Sequence, residues 1–440
     1  MSALEQLEID SLAYHGAGVA RNAEGKVFFV KGALPGETVE AQVIADKGGY
    51  ATAQLARILE PSAQRVDALC PYASRCGACP WQVLAYDQQL FWKRRIVVDA
   101  LQHIGRFSNA DELVLDCIAA QQPWGYRNKI ELVALTQGTQ VSLCMHADDS
   151  NAPVPIESCL LVSEKHRTLP KKLAGALSYL NIDAKSAVKR VGLRLSRRSG
   201  DLEIALWGNP GAFPRAIAAK VLSSAVKNTS IVRVLFTGAQ KERKLKGVEV
   251  LRGNGYWREN FLGHSLKLSA PSFFQVNTSA AELLVLEAMR ALEDRGYQQV
   301  LDLYSGVGTF TLPLCERFDD VTAIESASAS IADLRRALAE AHLDAEIIGG
   351  DVARILPSIP FADAALIDPP RAGLSKLAQE AIAASSLARL VYVSCNPATL
   401  ARDAAALERG GFRLVSVCPV DLFAQSYHIE SVSVFDRAHG

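Results

Sequence analysis

Nowhere does the chain run to about 18 consecutive apolar residues, so a helix that crosses a membrane is not expected. The first thirty residues carry Glu5, Glu8, Asp10 and Glu24 and lack the apolar block of a signal peptide, so export is not expected and a cytoplasmic protein is. Net charge is missing as well: 47 basic residues balance 47 acidic ones, and any polyanionic partner would have to be held by local patches. No fixed-period repeat or low-complexity tract occurs, which excludes a solenoid or a disordered linker. Nor is there an even set of cysteines. There are nine, three of them between Cys70 and Cys79, which argues for metal binding or catalysis rather than a disulfide framework. What remains is 440 residues at 49% hydrophobic and 21% charged, a globular composition with room for two or three domains.

The front of the chain alternates short apolar runs with glycine turns: Leu12 to Tyr14 before His15-Gly16, Val27 to Val30 before Lys31-Gly32, then Thr38 to Ile44 and Thr52 to Ile58. Strands at this spacing predict a small β-barrel over residues 1–61. The stretch GAGVARNAEGKVFFVKGALPGETVEAQV resembles the TRAM domain, an OB-like RNA-binding barrel of RNA-modifying enzymes.

Next come Cys70, Cys76 and Cys79 at C-x5-C-x2-C spacing, with Gly77 permitting a tight loop. Three thiolates can converge on one centre, but a tetrahedral zinc or a four-iron cluster needs a fourth ligand, and spacing does not choose it among the other cysteines. Residues Asp87 to Arg106 predict an amphipathic helix with Leu90, Val97, Leu101 and Ile104 near one face and Lys93, Arg94 and Arg95 as a solvated run. From about 120 to 265 the pattern is strands and turns. Pro123 to Lys129 mixes aromatics with cations as a base-stacking surface would. Between Lys185 and Arg198 there are six basic residues and no acidic one, and Val191, Leu193 and Leu195 alternate with Arg190, Gly192 and Arg194, which predicts a strand with one basic face. Lys241 to Lys246 adds a second basic cluster. Together the patches point to RNA, and residues 62–265 read as a central domain whose helix packs on the C-terminal part of the chain.

From residue 266 the pattern becomes alternating strand and helix. Ser279 to Glu282 reads as a capping box that opens a helix bearing Val285, Met289 and Leu292. Strands are expected at Val300 to Tyr304, Val321 to Ile324, Ala364 to Ile367 and Leu390 to Val393, which together make a doubly wound sheet. Gly306 and Gly308 after the first strand would let backbone approach a ligand, and Glu325, about twenty positions on, could hold ribose hydroxyls. The run DLYSGVG lacks the third glycine of the dinucleotide fingerprint and suits S-adenosylmethionine better than NAD. In LVYVSCNPATL, Cys395 falls between a buried strand and a helix capped by Asn396 with Pro397 at its first position, a setting that favours thiolate. A small buried hydrophobe is the commoner fate of such a cysteine. Here, however, the glycine loop, Glu325, Asp368 and Cys395 all fall at C-terminal ends of strands, where open α/β sheets bind ligands.

FQVN from Phe274, DLYSGVGTF, IDPPRAGL, VYVSCNPATLARD and HIESV resemble, in order and spacing, the RNA uracil-5-methyltransferases, and best the iron–sulfur branch acting on 23S ribosomal RNA. The resemblance implies a Rossmann-like S-adenosylmethionine-dependent methyltransferase domain behind the TRAM barrel and a central α+β domain carrying a [4Fe–4S] cluster. It implies Cys70, Cys76, Cys79 and Cys159 as cluster ligands. Gln275, Tyr304, Thr309, Glu325, Asp351 and Asp368 then fall at positions that contact S-adenosylmethionine, although relatives often carry cysteine at Ser305 and asparagine at Thr309. Cys395 becomes the nucleophile and Glu430 the base. Carbon 5 of uracil is a weak nucleophile, so the thiolate adds at carbon 6, carbon 5 takes the methyl group, and Glu430 removes the carbon-5 proton before Cys395 leaves. Cys117, Cys144, Cys315 and Cys418 read as core cysteines. The expected partner is ribosomal RNA, with transfer RNA as the alternative substrate and a non-catalytic RNA-binding factor as the alternative class. A monomer is expected. Radical chemistry is disfavoured because C-x5-C-x2-C differs from the C-x3-C-x2-C spacing that leaves an iron open to S-adenosylmethionine.

Overall fold

The computed structural model describes residues 4–148, 150–180, 188–227, 229–238, 244–292 and 295–438. β1 (Leu4–Leu12), β2 (Gly18–Arg21), β3 (Val27–Lys31), β4 (Thr38–Asp46) and β5 (Tyr50–Glu60) close into a barrel in the order β1-β2-β3-β5-β4. Closure leaves no free strand edge. Alternate residues such as Leu7, Ile9, Val39 and Ala41 fill its small interior.

Helix α1 (Tyr86–Ala100) continues as a π-turn over Leu101–Gly105 and is followed by α2 (Ala110–Leu113). The buried face of α1 is Gln89, Trp92, Lys93, Ile96, Val97 and Val98, while Ile104 is exposed. This differs from the expected face: Lys93 is interior, because α1 is covered by the catalytic domain on the side that its sequence marks as polar.

The central sheet runs β12-β11-β10-β9-β6-β7-β8, built from β6 (Lys129–Gln137), β7 (Gln140–His146), β8 (Pro153–Pro155), β9 (Val188–Leu195), β10 (Leu202–Gly208), β11 (Thr229–Thr237) and β12 (Lys244–Arg252). Helices α3 (Leu169–Leu180) and α4 (Arg215–Ala225), not expected from the sequence pattern, pack on it. Both are short and their apolar residues resemble strand runs. The expected basic face of β9 is not a surface. Arg190 pairs with Glu131, and Arg194 is buried, donating to the carbonyls of Ser269 (2.8 Å) and Ser272 (2.5 Å). Lys185 and residues 241–243 lie outside the described residues; Lys244 and Lys246 are exposed.

After the hairpin β13 (Trp257–Phe261) and β14 (His264–Leu268) comes α5 (Thr278–Leu292). Its cap is Asn277, which accepts from the Ala280 N–H, not the expected Ser279–Glu282 box. Glu282 is taken instead by Arg198 and by the Leu262 N–H. The catalytic sheet then has the order β17-β16-β15-β18-β19-β21-β20. Its members are β15 (Gln299–Leu303), α6 (Thr311–Cys315), β16 (Asp320–Glu325), α7 (Ser328–Ala341), β17 (Glu346–Gly349), α8 (Val352–Ile355), β18 (Ala364–Ile367), α9 (Lys376–Ala384), β19 (Arg389–Ser394), α10 (Pro397–Arg409), β20 (Phe412–Val420) and β21 (Glu430–Arg437). Pairing is parallel from β17 to β19 and antiparallel at β21 and β20. Both faces are covered, as a parallel sheet requires: Leu390 and Tyr392 of β19 enter one apolar cluster and Val391 and Val393 the other. The first cluster also contains Leu12 and Leu34 of the barrel and Trp92, Ile96 and Val97 of α1, so one core joins three parts of the chain.

Candidate active site

The parallel strands aim their C-terminal ends at one edge, and the sequence-expected residues gather there. Tyr304, just past β15, takes a left-handed φ of 66° and opens a loop in which Gly306 (φ 57°) and Gly308 (φ 92°) follow. A Cβ on Gly308 would lie 2.6 Å from Leu334 and 2.7 Å from Leu312, so glycine there serves close packing. A Cβ on Gly306 would meet nothing within 4 Å, so its backbone faces open space. Glu325, at the end of β16, accepts from the Gly306 N–H at 2.9 Å and from the Ala327 N–H at 2.6 Å, which closes the loop over the next strand.

Below the loop, Asp302 is fully buried. Its Oδ2 accepts from Thr311 at 2.5 Å, whereas its Oδ1 and the Ser305 hydroxyl are buried with no partner. Burial pushes the Asp302 carboxyl up to about 7, helped by Glu325. Asp368, just past β18, is likewise raised to about 7 by burial and by Asp302. Such a line of uncompensated carboxyls suits a cationic ligand. Asp351, exposed, precedes α8, and Thr309 is half-buried in the glycine loop. Gln275 is buried in the segment leading to α5, where the Asn128 side chain donates to its carbonyl at 2.8 Å. That bond stitches the central sheet to this edge.

Cys395 follows β19, and Asn396 caps α10 by accepting from the Ala398 N–H at 3.1 Å. β19 and β21 pair antiparallel with Ser394 opposite Ser431, so Cys395 and Glu430 are the next facing positions. The expectation of a ready thiolate does not hold. Burial, then the Glu430 and Asp368 carboxyls, push the Cys395 thiol up to about 12, against the opposing pull of Arg371. The helix end is outweighed by desolvation and neighbouring acids. Glu430 is itself buried and holds its proton well above the usual carboxylate range, through burial first and Asp368 second.

The loop that leads into Glu430 is stapled in place by groups the sequence did not single out. Lys93 of α1 donates to Asp421 at 2.5 Å and to the Phe423 carbonyl at 3.1 Å, and both members of the ion pair are fully buried. Tyr86 donates to the other oxygen of Asp421 at 2.8 Å. Gln89 accepts from the Gln425 N–H at 2.9 Å, Tyr126 donates to the Ala424 carbonyl at 3.0 Å, and the Trp81 N–H donates to the Gln425 carbonyl at 3.0 Å. The expected stacking surface at Pro123 to Lys129 is therefore mostly interior, with Tyr126 and Asn128 buried. The polar neighbours that claim them lie 298 residues on for Tyr126 and 147 and 150 residues on for Asn128, beyond any local signal.

Cys70, Cys76, Cys79 and Cys159 line one cavity together with Trp124, Met145 and Leu161. The loop is held against β7 by the Gly77 N–H, which donates to His146 at 3.0 Å, and a Cβ on Gly77 would lie 2.7 Å from the Asp148 backbone. Among the described residues no three His, Cys, Asp or Glu side chains are gathered as a ligand set for a metal ion. A mononuclear zinc places thiolates about 2.3 Å from a single ion, whereas each thiolate of a four-iron cluster meets its own iron and the set stands wider. The four thiols that line this cavity are the all-sulfur donor set that either centre takes. Half-buried Arg127 lies near enough for its charge to lower the Cys79 and Cys159 thiols against the larger effect of their burial. Of the other cysteines, Cys144 and Cys418 are buried and Cys117 and Cys315 half-buried. No helix among the described residues is long and apolar enough to cross a membrane.

Residues 6–56 match the TRAM domain model, and residues 262–349 and 358–438 match the tRNA (uracil-5-)-methyltransferase model. The chain is 34% identical to an uncharacterized RNA methyltransferase of Gloeobacter violaceus, over 98% of this chain and 96% of that one. It is 30% identical to another from Halalkalibacterium halodurans, again over 98% of this chain and 96% of that one. The crystal structure of the Pyrococcus abyssi tRNA (uracil-54, C5)-methyltransferase in complex with S-adenosyl-L-homocysteine superposes with a TM-score of 0.78 at 23% identity, covering 98% of this chain and 100% of that one, which shows the shared fold. A TRAM barrel, a methyltransferase sheet and full-length kinship to RNA methyltransferases together place the chain in the RNA (uracil-5-)-methyltransferase family, whose methyl donor is S-adenosylmethionine.

Proposed function

We propose that this protein methylates carbon 5 of a uridine in 23S ribosomal RNA, with Cys395 as nucleophile at carbon 6 and Glu430 as the base that removes the carbon-5 proton. The observation that carries this reading is the facing of Cys395 and Glu430 across adjacent strands, beside Asp368 at the glycine-loop edge. S-adenosylmethionine supplies the electrophilic methyl group. Gln275, Tyr304, Gly306, Gly308, Thr309, Glu325, Asp351 and Asp368 hold it. The buried carboxyls of Asp302 and Asp368 favour its positive charge, and Gly306 leaves room for it.

The target uridine is extruded from the folded RNA to reach a thiol set this deep. Cys395 loses its proton as it adds, the S–C6 bond forms, and carbon 5 acquires the nucleophilic pair. Once the methyl is on, Glu430, which must have given up its own proton to solvent before this step, takes the carbon-5 proton as a carboxylate. Its raised proton affinity makes it a stronger base than an exposed glutamate. The electron pair left by that proton re-forms the C5–C6 double bond, and the S–C6 bond breaks with its pair on sulfur. The Cys395 thiolate regains a proton from the now protonated Glu430, the proton it first lost having gone to solvent.

Cys70, Cys76, Cys79 and Cys159 hold a [4Fe–4S] cluster whose part is to brace the chain, since methyl transfer moves no electrons. Trp81, two residues from Cys79, bonds the loop that precedes Glu430, which links the cluster to the base. The cluster-bearing loop and the barrel are the features that favour ribosomal over transfer RNA.

Incubation with labelled S-adenosylmethionine and separate ribosomal and transfer RNA pools, with the labelled uridine then mapped, tests the substrate. Label confined to transfer RNA would overturn the ribosomal assignment. RNA carrying 5-fluorouridine at the mapped site tests the chemistry, because fluorine at carbon 5 cannot leave as the proton does. The covalent complex should accumulate with the parent chain and be absent with Cys395→Ala.

A further inference from the structure

The barrel does more than sit beside the methyl-transfer site. Its first turn, between β1 and β2, is built into that site. Ala13 N–H donates to Ala17 at 2.8 Å and Gly16 N–H to Ala13 at 2.9 Å, with His15 (φ 82°) and Gly16 (φ 83°) both left-handed. A histidine in that conformation persists only where its surroundings hold it, and such strain concentrates at ligand sites. A Cβ on Gly16 would lie 2.8 Å from Trp81 Nε1 and 3.0 Å from Tyr427 Cδ1, so the turn is seated directly on the loop that precedes Glu430. The Tyr14 ring meets Tyr427 edge-on at 6.4 Å, and His15 meets it at 5.6 Å. Two clefts flank this aromatic ridge. One is lined by His15, Arg65, Arg75 and Trp81, the other by Arg127, His146, Tyr427 and His428.

At the inner end of the turn the Tyr14 hydroxyl is buried, with the Arg371 guanidinium close by but no hydrogen bond of good geometry, a costly arrangement in a finished core and a useful one where a ligand will arrive. Its charged neighbours are Arg371 and Cys395. Arg371 is exposed. In an anti pyrimidine nucleotide the carbon-6 edge faces that nucleotide's own 5′-phosphate. Donors beside a thiol that attacks carbon 6 therefore meet that phosphate, and a hydroxyl with a guanidinium is a suitable pair for it.

We propose that Tyr14 is a substrate-binding residue of the methyl-transfer site, donating its hydroxyl to the 5′-phosphate of the extruded uridine alongside Arg371. This rests on the reading of Cys395 as the carbon-6 nucleophile. It makes the barrel a wall of the reactive pocket rather than a remote RNA grip.

The test pairs Tyr14→Phe, which keeps the ring and its packing, with target RNA whose 5′-phosphate at the reactive uridine is replaced by an uncharged methylphosphonate. On natural RNA, Tyr14→Phe should raise KM for RNA about tenfold, with kcat and KM for S-adenosylmethionine unchanged, the signature of a contact made equally in ground and transition states. On methylphosphonate RNA the parent chain should lose affinity and Tyr14→Phe should cost under twofold, because the partner is gone. Equal losses on both RNAs, or none on either, would assign Tyr14 to packing alone and overturn the proposal. Trapping of 5-fluorouridine RNA by the parent chain and not by Cys395→Ala is the control. If it fails, the nucleophile reading falls and takes Tyr14 with it. If it holds while the phosphonate comparison fails, only Tyr14 is wrong.

Discussion

Three acids and one thiol at the sheet edge are held in their neutral forms more strongly than in water, and this sets the pH behaviour. With the Cys395 thiol near 12, the thiolate fraction rises about tenfold per pH unit below that value. The rate of covalent trapping of 5-fluorouridine RNA should therefore climb with a slope near one from pH 6 to 8, measured by single-turnover gel assay. A plateau below pH 7 would show that RNA binding itself ionises the thiol. Stability should run the other way. Asp302 and Asp368 titrate near 7 in the fold against an ordinary value near 3.8, so the native state binds more protons than the unfolded chain between these limits. Their contribution is fully present below about 4 and is lost as pH rises through about 7. His428 and His166, held neutral down to about 4, act oppositely over part of that window, but they are outnumbered by the raised carboxyls, Glu203 and Glu430 included. The midpoint of urea unfolding for the ligand-free protein should fall from pH 5 to 7.5, and Asp302→Asn should flatten that fall. The residue-level chemistry of Cys395 shows where sequence misleads. A helix start is visible in Asn396-Pro397, but the carboxyls that oppose it arrive from β18 and β21.

At the scale of elements, α1 is the piece whose role the sequence hides. Lys93 lies in a run of cations that reads as solvated, and only the 328-residue leap to Asp421 makes it interior. The strands of the catalytic sheet were legible because each is a short apolar run ending at a turn or a functional residue; Ala364–Ile367 coincides with its expected limits, and Arg389–Ser394 extends them by one residue at each end. β17 was missed because Glu346–Gly349 has only two apolar residues and lies at the edge. Removing one partner of a buried ion pair leaves the other unpaired, so Lys93→Ala should cost about 3–5 kcal/mol in urea unfolding. Lys93→Met with Asp421→Leu should recover most of it, because an apolar pair of similar volume serves a buried site as well. If Lys93→Ala is neutral, the staple is ornamental and the loop before Glu430 is held by Gln89 and Tyr126 instead.

Over the whole molecule, barrel, α1 and catalytic sheet share one apolar cluster, which Trp81 and Leu84 join, and the cysteine cavity beside it is tied in through the chain, Trp81 standing two residues after Cys79. Replacing Cys70 and Cys159 by serine should therefore lower the temperature of unfolding for the barrel and the catalytic domain together, as one calorimetric transition. At temperatures where the variant is folded, trapping of 5-fluorouridine RNA should persist at a reduced rate. Two separated transitions would show that the cysteine loop does not couple the domains. This coupling could not be read from the sequence. The motifs mark each domain's own chemistry, whereas residues such as Leu12, Leu34 and Trp81 are ordinary apolar positions until the fold brings them together.

Gly16 bears on how such proteins can be recombined. Its left-handed backbone leaves no room for a side chain between Trp81 and Tyr427, so the barrel fits this body as a key fits one lock. A chimaera that exchanges residues 1–61 for the barrel of a distant relative inherits working chemistry only when the donor's first turn also carries a glycine at this position. Modularity in the gene then ends where that turn meets the indole.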